Sequence, residues 1–218
     1  MSLKGSFTSL DDIQAEFQPT IFLIEVTKLS LKFWRGDDVA AEHHARIASA
    51  KPDKKSPVHY TSFCFFGALV YFRRYRFKGG DDRLEKGREM LLQMEDWAKN
   101  SPATFGSKSL LLKAEHAASV NEDSDVVKQC YNDANRTARD HGNIHDLALG
   151  HELLGNYCAS QGQMEDSNDC FLRAFVYFRQ WGAAAVAERI FCDYGLDNAS
   201  VSNMELQIGD LKHSRFED

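Results

Sequence analysis

Between breaks set by glycine and proline, the apolar residues of this chain recur three or four positions apart. Leu84, Gly87, Leu91, Met94 and Ala98 form one such row, and Val127, Cys130, Tyr131, Ala134 and Ala138 a second. Ile144, Leu147, Ala148, His151, Leu154, Gly155 and Cys158 make a third, and Met164, Ser167, Phe171, Ala174 and Phe178 a fourth. Each row predicts a helix with one apolar stripe, and nothing between them alternates with the period of two that a half-buried strand needs. The expected fold class is all-α. The helices are expected near residues 10–17, 19–35, 37–50, 57–78, 81–100, 102–120, 122–141, 143–161, 163–181, 183–194 and 203–213.

The breaks carry their own chemistry. Ser56-Pro57 and Ser101-Pro102 read as helix starts, with the serine oxygen capping a free amide and proline in the first turn, where its missing N–H costs nothing. Gly79-Gly80-Asp81-Asp82 ends one helix and starts another; Arg76 and Lys78 suit the carboxyl end of the first dipole, Asp81 and Asp82 the amino end of the second. Gly36-Asp37-Asp38, Gly142-Asn143 and Gly162 mark further turns. Helices joined by turns this short pack antiparallel.

Hairpins beginning near Pro57, Pro102 and Asn143 recur about every 40 residues, longer than the roughly 34 of a standard tetratricopeptide repeat. In the last hairpin Leu154-Gly155, Gly162, Phe171 and Ala174 fit that motif, and Tyr131 and Ala134 stand 40 residues before Phe171 and Ala174. Small residues matter there because two helix axes approach to about 8 Å only where side chains are short. The expected architecture is a tetratricopeptide-like superhelix of stacked antiparallel helical hairpins over residues 19–195. An N-terminal segment, 1–18, precedes it, its first residues an expression scar or a frayed terminus; a short helix and tail, 196–218, follow.

From Asp82 to Glu188 the sequence resembles the tetratricopeptide-like helical region of very large signalling proteins, set between an ATPase module and a histidine kinase. The likeness rests on Trp97-Ala98 with Ser101-Pro102, on Lys108 to Glu115, on His141-Gly142-Asn143-Ile144-His145, and on Ala174 to Phe178 leading to Trp181-Gly182-Ala183. Residues 31–76 resemble the preceding hairpins of that region more loosely. The resemblance implies a regulatory or scaffolding segment whose catalytic domains lie outside the residues given. Asn156, Ser167 and Asp169 depart from it where alanine is usual, and the tail after Gly195 matches nothing in it.

Composition narrows the function without naming it. The 218 residues are 43% hydrophobic with a net charge of -6, an acidic balance that argues against nucleic acid or an anionic membrane as partner. No apolar run reaches the roughly 20 residues of a membrane span, and a cytoplasmic location is expected. The odd, scattered cysteines, Cys64, Cys130, Cys158, Cys170 and Cys192, read as core thiols rather than a disulfide or zinc framework.

Candidate chemistry is sparse. His151-Glu152-Leu153 matches the start of a phospho-accepting histidine motif, but His151 lies on an apolar stripe and reads as a packed, hydrogen-bonded core residue. His141 and His145 have the spacing of a helical metal pair, which Gly142 interrupts. Gly79-Gly80-Asp81 starts like a cyclic-dinucleotide synthase signature, but joins two helices rather than two strands. No catalytic residue, metal or cofactor is expected. The aromatic helix Tyr60 to Lys78 reads as the centre of a packed array, the alternative being an aromatic groove with a basic end at Arg73, Arg74, Arg76 and Lys78 for an acidic peptide or single-stranded nucleic acid. The expected function is a non-catalytic protein-interaction or scaffold module of an intracellular signalling ATPase or kinase, binding a protein or peptide, including neighbouring domains of a larger chain, through Lys108, Lys113, Asn143, Glu152, Arg73 and Arg74. The rival reading is an all-helical enzyme or small-ligand domain with a pocket containing His141, His145 and His151.

Overall fold

The structure, a computed structural model, describes the backbone of residues 10–213 and side chains over 19–209. Met1 to Ser6 and the last five residues lie outside it. The described residues form ten helices and no strand: α1 (Leu10–Trp34), α2 (Asp38–Ala50), α3 (Pro57–Lys78), α4 (Asp81–Asn100), α5 (Pro102–Ser119), α6 (Ser124–Asp140), α7 (Ile144–Ser160), α8 (Met164–Trp181), α9 (Ala184–Asp193) and α10 (Asn198–His213). The chain is all-α. None of these helices is long and apolar enough to cross a membrane.

Two boundaries differ from the sequence expectation. Residues 10–17 and 19–35 form one helix, α1, with Pro19 inside it. Proline removes one main-chain donor, a local loss that the continuous burial of Phe22, Val26, Leu29 and Phe33 offsets. Helix α10 begins at Asn198 rather than near 203 because Asp197 caps it, accepting hydrogen bonds from the Ser200 N–H at 2.9 Å and the Ser200 hydroxyl at 2.6 Å. Pro57 and Pro102 do occupy the first turns of α3 and α5, but neither preceding serine caps through its side chain. The Ser56 hydroxyl instead pairs with His59 Nδ1 at 2.6 Å.

The contacts separate into two compact units, 1–90 and 91–218, with the boundary inside α4. In the first unit α1 packs on α2 and α3, which pack on each other. Helix α3 is its centre, with Phe63, Cys64, Phe65 and Gly67 to Phe72 all buried. Phe22 meets Phe63 edge-on at 5.5 Å; Tyr60, Phe66 and Tyr75 of α3 are half-buried, and Phe77 is 73% exposed. The first half of α4 closes on α3 through Gly87, where a Cβ would stand 2.5 Å from the Phe72 ring.

The second unit is built from two hairpins, α5–α6 and α7–α8, with α6 packed on α7, α5 on α7, α8 on α9 and α10 on α8. Glycines with positive φ, Gly142 at 70° and Gly162 at 74°, turn the chain into α7 and α8. Bonds spanning 37 to 40 residues tie the hairpins together. Ser107 and Lys108 bond Asp146, 39 and 38 residues on; Asn143 bonds the Ala103 carbonyl, 40 back; Lys128 bonds Asp166, 38 on; Arg189 bonds Glu152, 37 back; and Tyr194 bonds Asn156, 38 back. Equivalent points of successive hairpins are thus bonded to one another.

The 40-residue register also shows how each hairpin closes. In α5–α6 the Tyr131 hydroxyl donates to buried Glu115 at 2.5 Å. Forty residues later the same two places hold Phe171 and Gly155, and the ring packs against the glycine through Cδ1 and Cε1; the Ser167 hydroxyl then reaches the Gly155 carbonyl at 2.9 Å. A Cβ on residue 155 would meet the Phe171 ring at 2.6 Å and the Cys170 Cβ at 3.2 Å. The Gly155→Ala variant is therefore expected to lose about 1–3 kcal/mol, despite alanine's better helix propensity, as measured by urea denaturation.

Candidate partner-binding surfaces

The residues singled out in the sequence are held by partners inside the chain. Lys108 is bound to buried Asp146 at 2.7 Å, with Ser107 donating to the same carboxylate at 2.6 Å. Glu152 is itself buried and holds Arg189 through both oxygens, at 2.9 and 3.0 Å. Asn143, at the start of α7, donates to the Ala103 carbonyl at 2.8 Å, and Lys113 pairs with Glu95 at 2.9 Å on a more open surface. Arg73 reaches Asp38 at 2.9 Å and lies over the Phe33 ring. Arg74 bonds Glu42 at 3.0 Å. In the second unit Lys108, Asn143 and Glu152 thus serve as ties between hairpins.

Helix α7 is buried at every position from Asp146 to Gly155. Over that stretch only Leu154 borders a surface groove. A surface groove lies elsewhere, between α6, α7 and α8, with a volume of about 440 Å³. Leu154, Cys158 and Cys170 line it on the apolar side, with Lys128, Glu165 and Asp169 among its charged residues. Lys128 reaches across to Asp166 at 3.1 Å, and Asp169 holds Arg173 at 2.7 Å; among the described residues Glu165 has no ion pair. Sequence reasoning missed this groove, because its walls come from three helices whose residues sit up to 42 positions apart.

The three histidines of the rival reading occupy separate settings. His141 is exposed at the carboxyl end of α6, where Gly142 ends the helix. His145 meets the Trp181 ring at a tilt, 5.4 Å between centroids, beside Asp146, and burial, reinforced by Lys108, holds its imidazole below the ordinary value against the pull of Asp146. His151 is buried and stacked on Tyr177 at 5.6 Å. The groove contains none of them. No group of three or more histidine, cysteine or acidic side chains among the described residues could hold a metal.

His151 corrects one expectation: it is packed, but among the described residues neither ring nitrogen has a hydrogen-bond partner. Asn135, equally buried, also lacks partners for its amide, and its oxygen presses on Gly150, where a Cβ would stand 2.0 Å away. Forty residues later the corresponding positions hold Phe175 and Phe191, whose rings meet at 5.7 Å. At these two positions the chain carries polar side chains where the next hairpin carries aromatic ones.

Two of the cysteines are not core thiols: Cys130 is half-buried and Cys192 exposed, whereas Cys64, Cys158 and Cys170 are buried. Burial pushes the Cys64 and Cys170 thiols up to about 12, so both stay protonated at neutral pH.

In the first unit, Glu42 of α2 gathers three guanidiniums. Arg46 of α2 bonds it at 2.8 and 3.0 Å, Arg74 of α3 at 3.0 Å and Arg83 of α4 at 2.7 Å. Burial alone would raise this carboxyl, but the hydrogen bonds from Arg83, Arg74 and Arg46 overcome it and bring Glu42 down to about 2. Comparison with protein-family models, curated proteins and solved structures finds no match for this chain.

Two outcomes follow from these buried charges. Burial, then Arg173 and Arg139, hold the His151 ring down to about 3, so the unfolded chain takes up a proton at this residue below pH ~6.5 while the folded one does not. Stability is therefore lost as pH falls from about 6.5 towards 3, and His151→Leu should recover about 2 kcal/mol at pH ~5 relative to its effect at pH ~8, read from denaturation at both. Glu42→Gln leaves three guanidiniums without their carboxylate and is expected to cost about 3–5 kcal/mol at pH ~7 by urea denaturation. The loss should shrink below pH ~4, where the unfolded Glu42 is protonated and the stability that the wild type draws from its ionised carboxylate falls away.

Proposed function

We propose that the chain is a non-catalytic protein-interaction or scaffold module, a tetratricopeptide-like superhelix of stacked hairpins that serves as a regulatory segment of an intracellular signalling ATPase or kinase. The single observation behind this reading is the bonded register of the second unit: hydrogen bonds and ion pairs 37 to 40 residues apart join equivalent points of successive hairpins. Such repetition is how stacked-hairpin proteins extend a surface, each hairpin burying its neighbour's face. The resemblance from Asp82 to Glu188 points the same way.

The burial of α7 shifts the proposed contact surface outward. In this reading a partner segment lies in the groove between α6 and α8, its apolar side chains on Leu154, Cys158 and Cys170 and its basic groups towards Glu165 and Asp169. Lys108 and Glu152 act by holding successive hairpins together, so reversing the charge of Lys108 would bring a carboxylate against buried Asp146 and damage the fold rather than report on binding.

The test uses exposed positions. With the chain immobilised as bait, the Glu165→Lys, Asp169→Lys double variant should lower partner capture at least tenfold while its melting temperature stays within about 2 °C of wild type. Undiminished capture by the folded variant would remove the groove from the proposal. A rise in melting temperature with a metal or small metabolite, alongside no protein capture, would favour the small-ligand reading.

A further inference from the structure

The cluster around Glu42 differs from the other ion pairs of the chain in its balance. Lys108–Asp146, Arg189–Glu152 and Arg179–Glu205 each bring one cation to one main carboxylate. Around Glu42, by contrast, stand Arg46, Arg74 and Arg83, and the second carboxylate in reach, Asp82, lies 3.6 Å from Arg46 and 3.9 Å from Lys86. Four cations thus share two carboxylates, an excess of two positive charges. Among the described residues Arg74 and Arg83 have no acidic partner but Glu42.

The geometry leaves donors to spare. Of the five N–H groups on each guanidinium, Arg74 commits one, its Nε–H, to Glu42. Arg83 commits its Nε–H to Glu42 and one Nη1–H to the Gly79 carbonyl at 2.8 Å. The remaining nitrogens are not buried without partners, so they reach solvent; the three side chains are 44%, 16% and 19% exposed at Arg46, Arg74 and Arg83. Glu42 therefore fixes three guanidiniums from α2, α3 and α4 by their inner edges. This takes up in advance the side-chain entropy that a binding arginine would otherwise lose.

Charge division between the units supports the same reading. Residues 1–90 carry 15 Lys and Arg against 12 Asp and Glu, while residues 91–218 carry 11 against 20. The first unit is basic within an acidic protein.

We propose that Arg46, Arg74 and Arg83, held by Glu42, form a binding site for a phosphoryl dianion carried on a partner protein. A phosphorylated side chain brings nearly two negative charges and three acceptor oxygens, which match the excess charge and the forked donors; a single carboxylate matches only half of it. The neighbouring Arg73 takes no part, since Asp38 and the Phe33 ring hold it. The identity of the bearer rests on the interaction-module reading, but the anion chemistry does not.

The test follows the arginine Nε–H resonances of the whole chain while N-acetyl-O-phosphoserine amide is added at about 50 mM ionic strength, with N-acetylserine amide, N-acetylglutamate amide and inorganic phosphate in parallel. Saturable shifts at Arg74 and Arg83 are expected with phosphoserine, at least tenfold weaker with glutamate and absent with serine. Arg74→Gln and Arg46→Gln should each weaken binding at least tenfold, and Lys78→Gln should not. Arg46 is the more exposed of the two, so its variant keeps the test open if the Arg74 variant unfolds. No saturable shift in the wild type overturns the site, as does equal binding by Arg46→Gln. Equal affinity for glutamate overturns the phosphoryl assignment, and binding of inorganic phosphate without phosphoserine overturns the protein-borne one. Probe binding in a chain that captures no protein leaves the anion site standing while the interaction module falls.

Discussion

Helix α7 is buried without interruption from Asp146 to Gly155, and in that setting each polar group it carries needs a partner on a neighbouring helix or costs stability. Asp146 finds Ser107 and Lys108 on α5, and Glu152 finds Arg189 on α9. These two buried carboxylates face opposite neighbours and so lock α7 between the hairpin before it and the helix after it. Sliding α7 by one turn against either neighbour would strand a buried charge. The stacking register of the second unit follows from that constraint more than from apolar packing, which alone tolerates slippage.

Two groups on or beside α7 escape the rule. Asn135 and His151 occupy the layer where the next hairpin carries Phe175 and Phe191, and neither finds a hydrogen bond. The ring of His151 stays neutral because burial and two nearby guanidiniums penalise its cation. This layer is a weak point of the unit, sensitive to acid, in a place where the hairpin closures on either side are well made: Tyr131 on Glu115, and Phe171 on Gly155.

The first unit solves a different problem. One buried carboxylate, Glu42, ties α2, α3 and α4 through three arginines, and the tie overcounts cations. In the second unit the charges of the buried pairs, Lys108 with Asp146 and Arg189 with Glu152, are matched one to one, which serves stacking. In the first they are mismatched at a single point, which favours an incoming anion and underlies the proposed phosphoryl site.

Much of the secondary structure was legible from residues close together in sequence. The apolar rows, the prolines at 57 and 102 and the glycines at 142 and 162 place α3, α5, α7 and α8 correctly, because helix formation and chain reversal depend on neighbours within about four positions. Gly155 and Phe171 were legible as positions of a repeat motif, whereas the packing of the ring on the glycine emerged only from the structure. The fate of the charges was not legible. Lys108, Glu152, Arg73 and Arg74 looked available for a partner, yet their counterions, Asp146, Arg189, Asp38 and Glu42, stand 32 to 38 residues away, and only the packing of the helices brings them together. By itself the sequence determined that the chain forms helices and where most of them turn. Which polar groups are buried, and which cations remain in excess, was decided by tertiary structure, because burial and long-range charge pairing are properties of helices in contact.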